Sequence, residues 1–476
     1  MKRNRWWSFM CFAALLALAG CSGSSSVQPP PPVGSSSVSV TMTDTPPAGV
    51  TILSFEVTVT GAALNPGNVD LLGGKTPRIE VKQLETESAF LNTANVPAGT
   101  YTSLNLTFAN PELTFKNDTV AVLAGCPVGA VCEIKPIGTL TSTFTFPGSG
   151  ITIVANSPTG IQIDVNPNTI LSATLGVDFS LAGSVSAQQL PLPGQPAELD
   201  ELEDLVGVVQ NLDTTNKKFT LHTLAADFSI TTDNNTQFEF ETCAANNFTC
   251  LVNGQVVEVD ARIMAGGVFL AKKIEFEDNA IDDELEGIVF KIDDATHFEM
   301  VVLEELRDVT NVANGNPIVV TLSNPSFRVD NDGLTVPAGL KGSFEGATDT
   351  SQLLTGQAVQ IRLTGPVTGS AGPPSTLAAT TDRVRLRVSQ FTAKVKAGSI
   401  VPPNFSVDNL PSLFTNATPA INEIHVQTIT GQTDFEGGIT GVSGLADGNT
   451  VSLRGLLFRN GANPPELIAK KVRKRS

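Results

Sequence analysis

After Trp7 the 476-residue chain has no tryptophan, and Tyr101 is its single tyrosine beside 25 phenylalanines. Phenylalanine packs cores but carries no polar handle, and sugar platforms stack on Trp or Tyr, so this scarcity weighs against a carbohydrate-stacking surface. Histidine is nearly as rare: His222, His297 and His425 stand in separate strand-like segments. The chain has no HExxH, no Gly-x-Ser-x-Gly and no P-loop, and no glycine fingerprint in a strand–helix context. A triad needs histidine beside a nucleophile and a carboxylate, so no catalysis and no cofactor are expected. Charged residues are only 16%, too few for long surface helices, and no segment shows a helical period. Basic residues number 30 against 47 acidic ones, for a formal charge of −17, which repels phosphate backbones and argues against nucleic acid. What is abundant is apolar residues, at 41%, with Ser, Thr, Asn and Gly between them: enough to bury roughly three domains, four if small, built of strands and turns.

Residues 1–20 read as a secretory leader. Lys2, Arg3 and Arg5 precede an apolar run from Phe9 to Ala19 that is too short to span a bilayer as a stable helix. It ends in Leu18-Ala19-Gly20-Cys21, which resembles a bacterial lipobox. That resemblance implies cleavage between Gly20 and Cys21 and lipid on the Cys21 thiol. Residues 21–36 are Ser- and Pro-rich, a stiffened polar tether that would hold a body away from the membrane. Ser22 after the cysteine implies outer-membrane delivery, again through the resemblance. Cys126 with Cys132, and Cys243 with Cys250, are two close pairs in an exported chain and read as two local disulfides; the alternative, a four-cysteine metal site, lacks CxxC spacing.

From Val38 apolar and polar residues alternate. Val38, Val40 and Met42, then Leu53, Phe55, Val57 and Val59, then Leu104-Leu106-Phe108 and Ile161-Ile163-Val165, predict strands with one wet face, separated by turns such as Asn65-Pro66-Gly67 and Pro97-Ala98-Gly99. An antiparallel β-sandwich over residues 37–187 follows. Thr43-Asp44-Thr45-Pro46, and Val96-Pro97-Ala98-Gly99-Thr100-Tyr101 leading into Leu104, resemble the bacterial domain of unknown function 4382. That resemblance implies a prealbumin-like or carbohydrate-binding-like sandwich and no established activity. Tyr101 reads as a packed ring whose hydroxyl meets a backbone group at a sandwich corner.

A Pro-rich and acidic linker, 188–204, leads to a repeated pattern. Leu251-x-x-Gly254-x-x-Val257-x-Val259 recurs at Leu353, Gly356, Val359 and Ile361, and at Leu445, Gly448, Val451 and Leu453. A second apolar strand follows each copy, and one near Phe238, Phe327 or Phe435 precedes it. Two copies open alike, Leu205-Val206-Gly207 and Leu285-Glu286-Gly287; the last lacks this opening. The glycine after each Leu suits a turn with positive φ. Three small β-barrels are expected, over 205–280, 284–388 and a divergent 389–476. These units resemble the domain of unknown function 5666, which implies OB-like barrels of bacterial envelope proteins.

Acidic clusters remain. Glu275, Glu277, Asp278 and Asp282 to Glu286 read as a solvated linker. Asp330-Asn331-Asp332-Gly333 resembles part of a calcium loop, with Asp330 and Asp332 the candidate ligands, but the remaining ligands are missing; it reads as a β-turn, and no metal is expected. The basic Lys470-Lys471-Val472-Arg473-Lys474-Arg475 reads as outward charges on a final edge strand. The expectation is a lipid-anchored cell-envelope protein, of the outer membrane or cell surface, displaying β-domains for binding, adhesion or assembly. Its partners would be the membrane, through lipid, and an envelope protein or glycan. The rivals are a polysaccharide-binding lipoprotein and an envelope hydrolase.

Overall fold

The computed structural model describes residues 35–44, 51–86, 88–191, 201–223, 227–240, 243–264, 268–279, 283–305, 309–372 and 375–475. The leader, Gly20, Cys21 and the tether up to residue 34 lie outside them, as do Thr45, Pro46 and Asp282. Strands account for 55% of residues and helix for 8%, so the all-β reading holds. No helix among the described residues is long and apolar enough to cross a membrane.

The N-terminal domain is a sandwich. One sheet runs Val185–Pro191, Thr159–Val165, Ser35–Asp44, Ala89–Pro97; the other is built on the long pair Thr51–Asn65 and Ser103–Lys116. Phe55, Val57, Val59, Leu104, Leu106 and Phe108 face Val38, Val40, Ile161 and Ile163 in one core, as the alternation predicts. Tyr101 joins that core, and its hydroxyl donates to Pro97 O at 2.8 Å, closing the corner. One departure from an antiparallel sandwich is that Ser35–Asp44 runs parallel to Thr159–Val165, which the long connection between them permits.

The wet face fails where the second barrel packs on it. The register of Thr51–Asn65 slips between Ile52 and Ser54, a bulge that turns Leu53 to the outer surface. There Leu53 packs with Ile288 and Val301 of the second barrel, and Ser54 and Glu56 are buried beside it. The expected solvent face is instead a domain contact: Thr114 Oγ1 donates to Gly315 O at 2.5 Å and Asn316 Nδ2 to Glu133 Oε2 at 2.6 Å.

The three repeats are three closed five-stranded barrels of one topology. The first comprises Glu201–Asp213, Lys218–His222, Asp227–Thr231, Gln255–Met264 and Val268–Asn279; the second Glu284–Ile292, His297–Glu305, Pro317–Val329, Ala358–Leu363 and Ala378–Arg387; the third Ser389–Val395, Asn404–Asp408, Ile424–Thr428, Thr450–Asn460 and Asn463–Lys474. In each, the third strand closes the ring by pairing parallel with the fifth. Closure leaves the ring no free edge.

Register makes the copies equivalent residue by residue. Val259 faces Ile274, Ile361 faces Val384 and Leu453 faces Val472, while Phe238, Phe327 and Phe435 pair with the same three fifth-strand residues from the other side. Gly254, Gly356 and Gly448 all have positive φ, as expected, and donate the same hydrogen bond, to Val209, Val289 and Val395 O at 2.8, 2.7 and 2.8 Å. The opening motif absent from the third repeat is present in shape: Phe391 and Ala393 pair with Leu453 and Val451 as Leu285 and Gly287 pair with Ile361 and Val359. A Cβ at Gly287 would sit 2.1 Å from Val301 O, a crossing that excludes side chains; in the third barrel the tight approach has moved to Gly455 against Ile468 O.

Both expected disulfides form, Cys126–Cys132 and Cys243–Cys250. Each closes a short loop, so replacing either pair by serine should lower unfolding free energy by about 2 kcal/mol, read as a drop in urea midpoint; no drop would place the loops' stability elsewhere.

Candidate functional site

Small barrels fill their interiors with side chains, so charged residues on the fifth strands must point outward. Lys273 and Glu275 flank inward Ile274, and Arg383, Arg385 and Arg387 alternate with inward Val384 and Leu386. In an isolated barrel these would be wet. Here the outer faces of the barrels meet, and Glu258, Lys273, Asp330, Asp332, Arg387 and Lys470 are all buried.

The result is one ionic cluster drawn from three barrels. Arg387 of the second barrel contacts Glu258 of the first and Asp330 of its own, and its Nε lies 3.2 Å from Glu286. Lys273 Nζ lies 2.6 Å from Glu275 and 3.0 Å from Asp332. Lys470 of the third barrel reaches Asp332 at 2.7 Å and Asp260 at 3.6 Å. Arg383 pairs with Glu284 alongside.

Electrostatics follow from burial and neighbours. Burial pushes the Glu275 carboxyl up to about 9, and the charge of Asp330 adds to this against the opposing pull of Lys273. Burial also works to raise Asp330, but the Arg387 and Arg385 guanidiniums overcome it and hold that carboxyl below its ordinary value. For Lys273, burial lowers the ammonium pKa and the carboxylates of Asp332, Glu275 and Glu258 more than reverse it.

The candidate calcium ligands Asp330 and Asp332 lie in a turn, as expected, with Asp332 at φ 46°. Neither is solvated. Both belong to the ionic cluster, and the structure joins them to Glu275, which reads from sequence as part of a separate linker. Carboxylate oxygens of Glu258, Glu275 and Asp332 lie within 4.8 Å of one another, a spacing that suits a cation. The protein's own Lys273 and Lys470 ammoniums supply the positive charge there. The three carboxylates come from two strands of the first barrel and a turn of the second, so no local motif could have revealed them.

The C-terminal basic run is likewise not an edge. Its strand pairs with Thr450–Asn460 on one side and with Ile424–Thr428 and Asp434–Glu436 on the other. Lys470, Lys471 and Arg473 are buried; Lys471 meets Glu436 at 3.2 Å and donates to the sandwich at Thr86 O, 3.1 Å away, and Arg473 lies 3.4 Å from Glu436. Outward from its own barrel, for this strand, means inward to the assembly.

The histidines remain apart, one per barrel and all substantially exposed: His222 Nδ1 lies 2.6 Å from Asp227, His297 Nδ1 2.9 Å from Asp294, and His425 Nδ1 3.9 Å from Glu466. Chemically the arrangement is a charge-compensated joint between domains. No curated protein and no solved structure matches the chain. One family model does: residues 206–275, most of the first barrel, are similar to the Domain of unknown function (DUF5666) family.

Proposed function

We propose that this chain is a lipid-anchored cell-envelope protein that presents a rigid body of four β-domains for binding, adhesion or envelope assembly, without catalysis. The observation that carries the reading is Leu18-Ala19-Gly20-Cys21 behind a basic start and a short apolar run. The two disulfides support an oxidising compartment. The resemblance of residues 37–187 to the domain of unknown function 4382, common in secreted and lipid-anchored proteins, points the same way, and Ser22 favours the outer membrane. Display without chemistry is supported by where the titratable groups go: the buried carboxylates and cations are spent on each other at domain contacts. Partners are then the membrane, through lipid on Cys21, and an envelope protein or glycan met by the exposed surface.

Cys21→Ser tests the anchor. The wild-type chain should incorporate a clickable palmitate analogue and pellet with membranes; the variant should do neither. Unchanged labelling and pelleting in the variant would refute the reading.

A further inference from the structure

The joint between the barrels holds a lysine, an aspartate and a protonated carboxyl in contact. Lys273 of the first barrel donates from Nζ to Oδ1 of Asp332, in a turn of the second, at 3.0 Å. Lys273 and Asp332 are each 7% exposed. Glu275, on the same outward face of the strand as Lys273, brings Oε2 to 2.6 Å from that Nζ. Lys470 of the third barrel also reaches Asp332, donating to Oδ1 at 2.9 Å and lying 2.7 Å from Oδ2. Burying two ammoniums with these carboxylates costs desolvation that their attraction repays only when hydrogen bonding is complete. Here it is incomplete: Glu275 Oε2 and Asp332 Oδ2 are buried and accept no hydrogen bond among the described residues.

These are the groups that amide formation needs. An amine and a carboxyl condense when they are held together, away from water, beside a group that moves protons. Well-oriented intramolecular reactions reach effective molarities of about 10⁵ M or more. Nζ already touches Oδ1, and one bond beyond Oδ1 is Cγ, the carbon an amine attacks. Burial pushes the Glu275 carboxyl up to about 9, so at neutral pH it has a proton to give and an oxygen to receive one. The Lys470 ammonium beside Asp332 stabilises the negative charge that gathers on oxygen as Cγ becomes tetrahedral.

We infer that Lys273 and Asp332 condense into an isopeptide bond, with Glu275 as the proton carrier, joining the first barrel to the second. The resting pair is an ammonium and a carboxylate. A proton passes from Lys273 Nζ to Asp332 across their hydrogen bond, leaving an amine and an acid. The amine attacks Cγ, and the N–C bond forms. Glu275 takes a proton from Nζ through one oxygen and gives its own through the other to the departing hydroxyl, which leaves as water. One C–O bond has broken, nothing is oxidised or reduced, and Glu275 ends as it began. One ammonium and one carboxylate disappear from a poorly solvated site, and the net charge of the chain is unchanged.

Burial disfavours the Lys273 ammonium and the surrounding carboxylates favour it more, so the amine is the minor form and the step is slow. It need happen only once per molecule, which is self-modification and not turnover. Lys470 contacts the same aspartate and lies 3.6 Å from Asp260. The contact of protonated Glu275 with Lys273 makes Lys273 the nucleophile of the two. The bond joins residues 59 apart in sequence, and barrels linked in this way cannot separate when either unfolds.

The test is peptide mapping by mass spectrometry of the full chain, denatured, reduced, alkylated and cut with trypsin. Trypsin spares a lysine whose Nζ is in an amide. The expected product is therefore a branched peptide, residues 273–291 joined to 329–341, one water lighter than the two together. Its absence, with Lys273 cleaved and both linear peptides found, overturns the inference, and so does the same link found on Lys470. Lys273→Arg and Asp332→Ala should each abolish the branched peptide. Glu275→Gln keeps a neutral side chain of the same size but cannot carry the proton. The rate at which freshly synthesised chain becomes linked should fall about 100-fold in that variant. An unchanged rate overturns the mechanism. If a variant fails to fold, the wild-type map decides alone.

Discussion

Replacing Arg387 with Met should lower unfolding free energy by about 3–5 kcal/mol, the cost of stripping the cation from a buried ion cluster. The guanidinium touches Glu258, Asp330 and Glu286, and all but Glu286 are buried. Two carboxylates in a poorly solvated joint would lose their compensating charge, the same guanidinium that, against burial, holds Asp330 below its ordinary range. The substitution adds no bulk, so overpacking does not contribute. Urea unfolding at pH 7 measures it. Glu258→Gln with Asp330→Asn in the same chain should recover most of the loss, because the penalty is for uncompensated charge and not for the missing bond. A loss under about 1 kcal/mol would mean that water screens the cluster like a surface pair.

The second large effect is on pH. Glu56 and Glu80 face each other across paired strands beneath the second barrel, and Ser54 and Phe55 N bond to Glu80. Burial, then the charge of Glu80, pushes the Glu56 carboxyl up to about 7; Arg78 opposes this weakly because it is half exposed and shared with Glu112. Burial raises Glu80 as well. The folded state therefore holds protons that the unfolded chain releases above about pH 4.5. The stabilisation is complete below that pH and is lost as pH rises through 7, by about 3 kcal/mol for Glu56. Urea midpoints should fall between pH 5 and 8, Glu275 contributing to the same fall, and Glu56→Gln should lessen the fall by its own share and exceed the wild type at pH 8. A midpoint that rises over this interval would show that Arg78 governs the site.

The alternation of Phe55, Val57 and Val59, the turn glycines Gly254, Gly356 and Gly448, the two cysteine pairs and the corner tyrosine Tyr101 were all legible, because each depends on residues within one strand or one turn. The third barrel's opening was hidden because Ala393 replaces the glycine of the other two, and only strand register exposes the equivalence with Gly287. Leu53 was misassigned to the core because a bulge cannot be seen in a two-residue period. The ionic joint was invisible for a different reason. Glu275 reads as part of a solvated linker, Asp332 as a turn residue and Lys470 as an outward charge on an edge strand, and only the packing of barrel on barrel brings them together.

By itself, then, the sequence determined an all-β chain, its three repeats, its disulfides and its acidic balance, since periodicity, turn chemistry and composition act over a few residues. Tertiary structure alone decided which charges are buried and where the C-terminal strand ends. Those outcomes depend on the outer face of one domain meeting another, and long-range contact leaves no local pattern to read.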